Sequence, residues 1–167
     1  MTAIRKPRAI VITVSDSASR GERQDLSGPA AQEELEKMGC QVTGVEIVPD
    51  EREVIQSRLI EHSNSPDADL IVTTGGTGLA PRDVTPEATA AVIEKTVPGI
   101  AELMRLEGIK VNPRAALSRA LVGTRNKTLI INLPGSVKGV RESLAAISNI
   151  LGHALEVISG NTVRCGG

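Results

Sequence analysis

Leu70-Ile71-Val72-Thr73-Thr74-Gly75-Gly76-Thr77-Gly78 passes from a short apolar strand into a glycine-rich loop, and Leu79-Ala80-Pro81-Arg82-Asp83-Val84-Thr85-Pro86-Glu87 leads on into a helix. A brief, continuously apolar strand at Leu70 to Thr73 is what a parallel sheet covered on both faces requires. Thr85 reads as the helix N-cap and Pro86 as its first helical residue, which directs the positive end of the helix toward the glycines. In open α/β sheets the ligand crevice lies beyond the carboxyl ends of the strands, where this loop falls.

The flanking sequence repeats the pattern. An apolar run at Ala9 to Val14, an amphipathic stretch at Pro29 to Met38 closed by Gly39, and a second run at Val42 to Val48 precede the loop. A helical segment from Glu51 to His62 then leads into the quoted strand. After it come a helical stretch at Pro98 to Leu106 and two β-like runs, Ala120 to Thr124 and Thr128 to Asn132, joined by Arg125-Asn126-Lys127 as a hairpin at a sheet edge. The last helix carries the clearest stripe, Val140, Leu144, Ile147, Leu151, Ala154 and Ile158, in alternating steps of four and three. The expectation is a three-layer α/β/α sandwich with a mostly parallel sheet and an antiparallel edge hairpin. One domain should span residues 1–167, with 1–7 and 161–167 flexible.

Composition narrows the function. Nineteen basic and twenty acidic residues give a net charge of −1, with no basic stripe for nucleic acid. No apolar run is long enough for a signal peptide or membrane span, so a cytoplasmic location is expected. Cys40 and Cys165 are the only cysteines and are expected to be reduced; no zinc spacing is present. The chain has no Phe, Tyr or Trp, so its core is aliphatic and a bound ring cannot stack on aromatic side chains of this chain.

Three glycines and two threonines within Thr74, Gly75, Gly76, Thr77 and Gly78 favour a phosphate-binding loop over a plain tight turn. The spacing matches neither the P-loop nor GxGxxG. Asp83, beside this anion site, reads either as a Mg²⁺ ligand or as a solvated turn carboxylate. Asp50, with Glu53 three residues on, reads as an acidic capping box, although a strand end is also where it could meet Asp83 around a cation. Pro134-Gly135-Ser136-Val137-Lys138 joins strand to helix, with Ser136 as a natural N-cap and Lys138 adding charge. Ser15-Asp16-Ser17 repeats the idea after the first strand. His62 and His153 belong to no legible Cys or Ser motif for nucleophilic catalysis and read as structural.

Taken together, Thr73 to Gly78, Pro81-Arg82-Asp83-Val84-Thr85-Pro86-Glu87-Ala88 and Leu133-Pro134-Gly135-Ser136 closely resemble the molybdopterin-binding family of MogA, MoaB, the gephyrin G domain and plant Cnx proteins. Val14-Ser15-Asp16-Ser17 and Val48-Pro49-Asp50-Glu51 extend the likeness over nearly the whole chain, and Val137 stands where many members have proline. The resemblance implies a homotrimer that transfers AMP from Mg-ATP to the phosphate of molybdopterin, releasing pyrophosphate, within molybdenum cofactor biosynthesis. It implies Asp50 and Asp83 as catalytic, Mg²⁺-serving residues and Thr74, Gly75, Gly76, Thr77 and Gly78 as nucleotide-binding. Ser15, Asp16, Ser17, Pro134, Gly135, Ser136 and Lys138 would bind substrate. Hand-over to a molybdate-insertion protein would follow. The alternative within the family is a MoaB-like pterin-binding or scaffold paralogue without adenylyltransferase activity.

Overall fold

The structure is a computed structural model and describes residues 5–160. Of the ends expected to be flexible, 1–7 and 161–167, residues 1–4 and 161–167, with Cys165, lie outside the described residues. Among the described residues six strands form one sheet: β1 (Arg8–Val14), β2 (Gln41–Val48), β3 (Leu70–Thr74), β4 (Lys95–Thr96), β5 (Val122–Arg125) and β6 (Thr128–Leu133). Their spatial order is β2-β1-β3-β6-β5-β4. The first four in that order run parallel, with Ala9 beside Leu70 and Leu70 beside Leu129, whereas β5 runs antiparallel to both its neighbours, β6 and β4. The antiparallel edge is therefore present. The short strand β4 adds one more element outside the expected hairpin; at two residues, Lys95 and Thr96, it is too brief to carry a sequence signal.

Alternation along the inner strands divides the core between two faces. Val11, Val72 and Ile131 face α2 (Ser27–Lys37), α5 (Pro98–Val111) and α6 (Val137–Ser159). Ile12, Ile71 and Ile130 face α3 (Arg52–Asn64) and α4 (Thr85–Ala90). This is the three-layer sandwich, filled mainly by aliphatic side chains together with Cys40 and Met104. On α6, Val140, Leu144, Ile147 and Leu151 are buried, each contributing about 1.5–3 kcal/mol of apolar transfer free energy, while Ala154 and Ile158 pack at the margin beside buried Leu155. A short helix α1 (Asp16–Ser19), not evident in the sequence, follows β1, and a 3₁₀ turn (Pro113–Leu117) follows α5.

Two helix starts differ from expectation. Helix α3 has Glu51 at its N-cap with no side-chain bond, so Asp50 caps nothing there. Helix α4 has Val84 at its N-cap, again without a side-chain bond, and Thr85 is its first helical residue. Both departures have one cause: the oxygen atoms of Asp50 and Thr85 are engaged by neighbouring loops. Ser136 does cap α6, accepting a hydrogen bond of 3.0 Å from the Gly139 N–H. Among the described residues no helix is long and apolar enough to cross a membrane.

Candidate functional site

The carboxyl ends of β2, β1, β3 and β6 bring the loops after Val48, Val14, Thr74 and Leu133 together. Between β1 and β3 the chain direction of travel across the sheet reverses, which opens a crevice at the strand ends. The glycine loop occupies its centre. Gly75 and Gly76 have φ of +92° and +66°, values that strain any residue with a Cβ. A Cβ on Gly75 would overlap the Val14 carbonyl oxygen, and one on Gly135 would lie 3.2 Å from the Gly75 Cα, so the loop is wedged between its two neighbours. The Gly75 N–H donates to the Leu133 carbonyl at 3.1 Å, and the Thr85 hydroxyl and N–H donate to the carbonyls of Gly75 and Gly76.

Arg119 holds the next two carbonyls, those of Thr77 and Gly78, so all four carbonyls from Gly75 to Gly78 have protein donors. Among the described residues, no hydrogen bond is donated by the N–H groups of Gly76, Thr77 and Gly78. Successive donors of this kind are what an anionic oxygen recruits. Thr74 does not join them. Its side chain is fully buried, and its hydroxyl bonds Ser27 at 2.8 Å and Thr13 at 3.4 Å, so it seats the strand end beneath the loop instead of offering itself to a ligand.

On one side of the loop lie three carboxylates. Asp50 Oδ2 accepts from the Asp16 N–H at 2.8 Å, while the Asp50 N–H donates to Asp16 Oδ1 at 3.0 Å, a reciprocal clasp between the loops after β1 and β2. Arg82 reaches back from the acidic turn to grip Asp16 with Nε at 2.7 Å and Nη2 at 2.9 Å. That contact pulls the Asp16 carboxyl below its ordinary range. Asp83 Oδ2 accepts from the Ala80 N–H at 2.9 Å and lies against Gly78. Ser15 caps α1 and meets the Ser17 hydroxyl.

Burial, with the nearby charges of Asp16 and Asp83, pushes Asp50 above its usual carboxylate value. Three acids share one arginine here, so the balance of charge favours a cation. No group of three or more His, Cys, Asp or Glu with metal-binding geometry occurs among the described residues. Two carboxylates without a closed shell fit Mg²⁺, which keeps several waters and arrives with phosphate oxygens.

The raised value of Asp50 has a direct consequence for stability. Its contribution is fully present below the ordinary 3.8 and is lost as pH rises through the shifted value, so at neutral pH the ionised carboxylate weakens the fold. Asp50→Asn, whose amide oxygen can still accept from the Asp16 N–H, is expected to melt above wild type at pH 7. The advantage should vanish as the pH falls below about 4. Thermal unfolding followed by circular dichroism at both pH values checks this, and a lower melting point at pH 7 would contradict it.

On the other side of the loop is a cavity of about 290 Å³ between α5, the 3₁₀ turn and the start of α6. Met104, Gly108, Ala115 and Leu117 form an apolar wall. Gly108 permits the close approach, because a Cβ there would come within 2.9 Å of the Ala115 Cβ. Thr77, Gly78, Pro134, Ser136 and Lys138 line it toward the loop, and Arg105, Arg114 and Glu142 add charge. Its size is near the lower end for small-molecule sites, and this wall is apolar. Asn132, fully buried, pins the base by donating to Thr73 Oγ1 and Thr89 Oγ1 and accepting from the Leu121 N–H.

The structure therefore splits the expected substrate residues. Pro134, Ser136 and Lys138 border the cavity, Gly135 abuts Gly75, and Asp16, with Ser15 and Ser17 beside it, belongs to the acidic side. Asp50, Asp83 and the glycines converge as the sequence implies. Sequence reasoning missed Arg119, which bonds both the loop and the acidic turn, and gave Arg82 no role of its own. Neither arginine stands in a recognisable spacing. His62 is engaged with Glu46 and Arg58 on β2 and α3.

A crevice at the reversal point of a mostly parallel sheet makes this an open α/β protein of the class whose small ligands bind beyond the strand ends. Residues 10–153 match the family described as a probable molybdopterin binding domain, and the chain belongs to that family. It is similar to a molybdopterin adenylyltransferase of Helicobacter pylori strain J99, 48% identical over 156 residues covering 92% of this chain and 89% of that protein. It is also similar to the molybdopterin adenylyltransferase of Escherichia coli K12, 38% identical over 147 residues, 87% of this chain and 75% of the relative. The crystal structure of the molybdopterin biosynthesis enzyme MoaB from Thermus thermophilus superposes with a TM-score of 0.87 at 50% identity, covering 94% of this chain and 99% of that one.

Proposed function

We propose that the chain is a molybdopterin adenylyltransferase, which joins the terminal phosphate of molybdopterin to the AMP part of ATP and releases pyrophosphate. The observation that carries the reading is the placement of the glycine loop between a carboxylate cluster and a ring-sized cavity. Phosphate groups bound on the N–H groups of Gly76, Thr77 and Gly78 face a charge cluster on one side and a ring pocket on the other. The named activity of the Helicobacter pylori and Escherichia coli relatives supports it.

In this mechanism an oxygen of the pterin phosphate attacks the α-phosphorus of ATP, a new P–O–P bridge forms, and the bond to pyrophosphate breaks. The nucleophile is already ionised at neutral pH, so no His or Cys base is needed, and the chain's work is alignment and charge neutralisation. Asp50 and Asp83 would hold Mg²⁺ that neutralises phosphate charge. The loop N–H groups orient phosphate oxygens. The aliphatic wall of Met104, Gly108 and Leu117 takes the flat face of the ring, with Ser136 and Lys138 at its polar edge. Arg82, held by Asp16, keeps a guanidinium beside the carboxylates, where a departing pyrophosphate can use it. The proposal includes a single domain, a cytoplasmic location, a homotrimer and hand-over of the product to a molybdate-insertion protein.

Incubation of the purified chain with molybdopterin and Mg-ATP should yield adenylylated pterin and pyrophosphate, resolved by chromatography. Folded wild type that forms none beside an active control enzyme would sink the reading. The alternative is a pterin-binding paralogue without turnover. It predicts pterin binding with no pyrophosphate release, and a pterin affinity insensitive to Asp83→Asn.

A further inference from the structure

The turn from Leu79 to Arg82 is exposed and has no apolar anchor of its own, yet the carboxylate of Asp83 follows directly from it. Its local bonds, Ala80 N–H to Asp83 Oδ2 and Asp83 N–H to the Ala80 carbonyl, fix the turn's shape but not its position relative to the glycine loop. Thr85 ties the far end of the segment to the Gly75 and Gly76 carbonyls and Arg82 grips Asp16, but among the described residues Arg119 alone bonds both Gly78 and Asp83. The Arg119 N–H donates to the Thr77 carbonyl at 2.9 Å, its Nε to the Gly78 carbonyl at 2.8 Å and its Nη2 to the Asp83 carbonyl at 2.8 Å, while Nη1 pairs with the Glu87 carboxylate on α4. Arg119 thus closes the neck of the segment from Thr77 to Asp83. Its chain neighbours Ser118 and Ala120 line the cavity and offer their carbonyls to Arg105, so the neck is tied to the far wall as well.

We propose that Arg119 is a positioning residue for adenylyl transfer: by bridging Gly78 and Asp83 it sets the distance between the phosphate-binding N–H groups and the carboxylate that serves the cation. The inference rests on the reaction proposed above. A guanidinium is required because its planar fork reaches two carbonyls and a carboxylate at once, which a lysine ammonium cannot do. The Glu87 pair anchors the fork to α4 but touches neither the loop nor Asp83, so its loss separates stability from positioning.

The test compares Arg119→Ala, Arg119→Lys and Glu87→Gln by adenylylation across a Mg²⁺ titration, with thermal unfolding alongside. Arg119→Ala is expected to lower kcat at least 30-fold and to raise the Mg²⁺ half-saturation at least 5-fold, with the KM for molybdopterin within 3-fold of wild type. Arg119→Lys should rescue little of either, and it is the variant to read if the alanine chain does not fold. Glu87→Gln should stay within 3-fold of wild type in both, whatever it does to the melting point. An unchanged Mg²⁺ half-saturation in the folded Arg119 variants would overturn the proposal, as would Glu87→Gln falling as far as they do. If wild type itself forms no adenylylated pterin, the reaction fails, and the neck is judged by amide hydrogen exchange. Faster exchange over residues 77–83 in the Arg119 variants, absent from Glu87→Gln, supports it; unchanged exchange overturns it.

Discussion

Asp83→Asn is expected to lower the rate of adenylylation by about 10²–10³, the range found when one group that stabilises transition-state charge is removed. The amide oxygen of asparagine can still accept from the Ala80 N–H, and the Arg119 bond reaches the main-chain carbonyl of residue 83, not its side chain. The turn therefore keeps its shape, and the melting temperature should stay within about 2 °C of wild type, corresponding to less than about 1 kcal/mol. What is lost is one of three carboxylates beside the glycine loop, and one of the two proposed to serve Mg²⁺. The deficit should persist at saturating ATP and shrink only partly at high Mg²⁺. Steady-state assays with a Mg²⁺ titration read this directly, and a kcat within 3-fold of wild type would remove Asp83 from the reaction.

Gly75→Ala should damage both fold and site. At φ +92° a side chain costs about 1–3 kcal/mol in backbone strain, and crowding adds about 1–3 kcal/mol. Relief is blocked on both sides, because the overlapping atom is the main-chain oxygen of Val14 and the opposite neighbour is Gly135. A loss of about 2–6 kcal/mol lowers the melting temperature by roughly 4–24 °C, and activity should be undetectable because β1, β3 and β6 no longer present their loops in register. Gly99→Ala is the control. A Cβ there meets nothing within 4 Å, and it should leave stability and turnover unchanged. Comparable melting of the two variants would show that the wedge between Val14 and Gly135 is not tight.

The sandwich was legible because the inner strands are short unbroken runs such as Leu70-Ile71-Val72 and the last helix keeps its stripe from Val140 to Leu151. Short-range chemistry fared unevenly. Ser136 caps as its sequence implies, whereas Asp50 and Thr85 have cap-like residue types but bond other loops, since the burial of the strand ends offers them stronger partners. Thr74 looked like a ligand residue by position, but side chains alternate across a strand, and its hydroxyl lies within the core beside Ser27. The convergence of Asp50, Asp83 and the glycines followed from parallel topology. The split between an acidic side and a cavity side did not, because it depends on how α5 and the 3₁₀ turn pack. Arg119 was invisible for the same reason: three of its four partners are backbone carbonyls, which leave no trace in residue type.

The placement of β6 in the middle of the sheet has a bearing on how this chain must be made. Strand β3 pairs on one side with β1 and on the other with β6, the last strand to be synthesised. Until Thr128 to Leu133 emerge, β3 presents an unpaired, wholly buried-type edge, a template for joining another nascent chain. Closing that edge brings together residues 59 positions apart, as Asn132 reaches Thr73, a long loop closure that slows folding. The Leu133 carbonyl that completes the pairing also seats Gly75. The pairing that covers the β3 edge is thus also the one that seats the glycine loop.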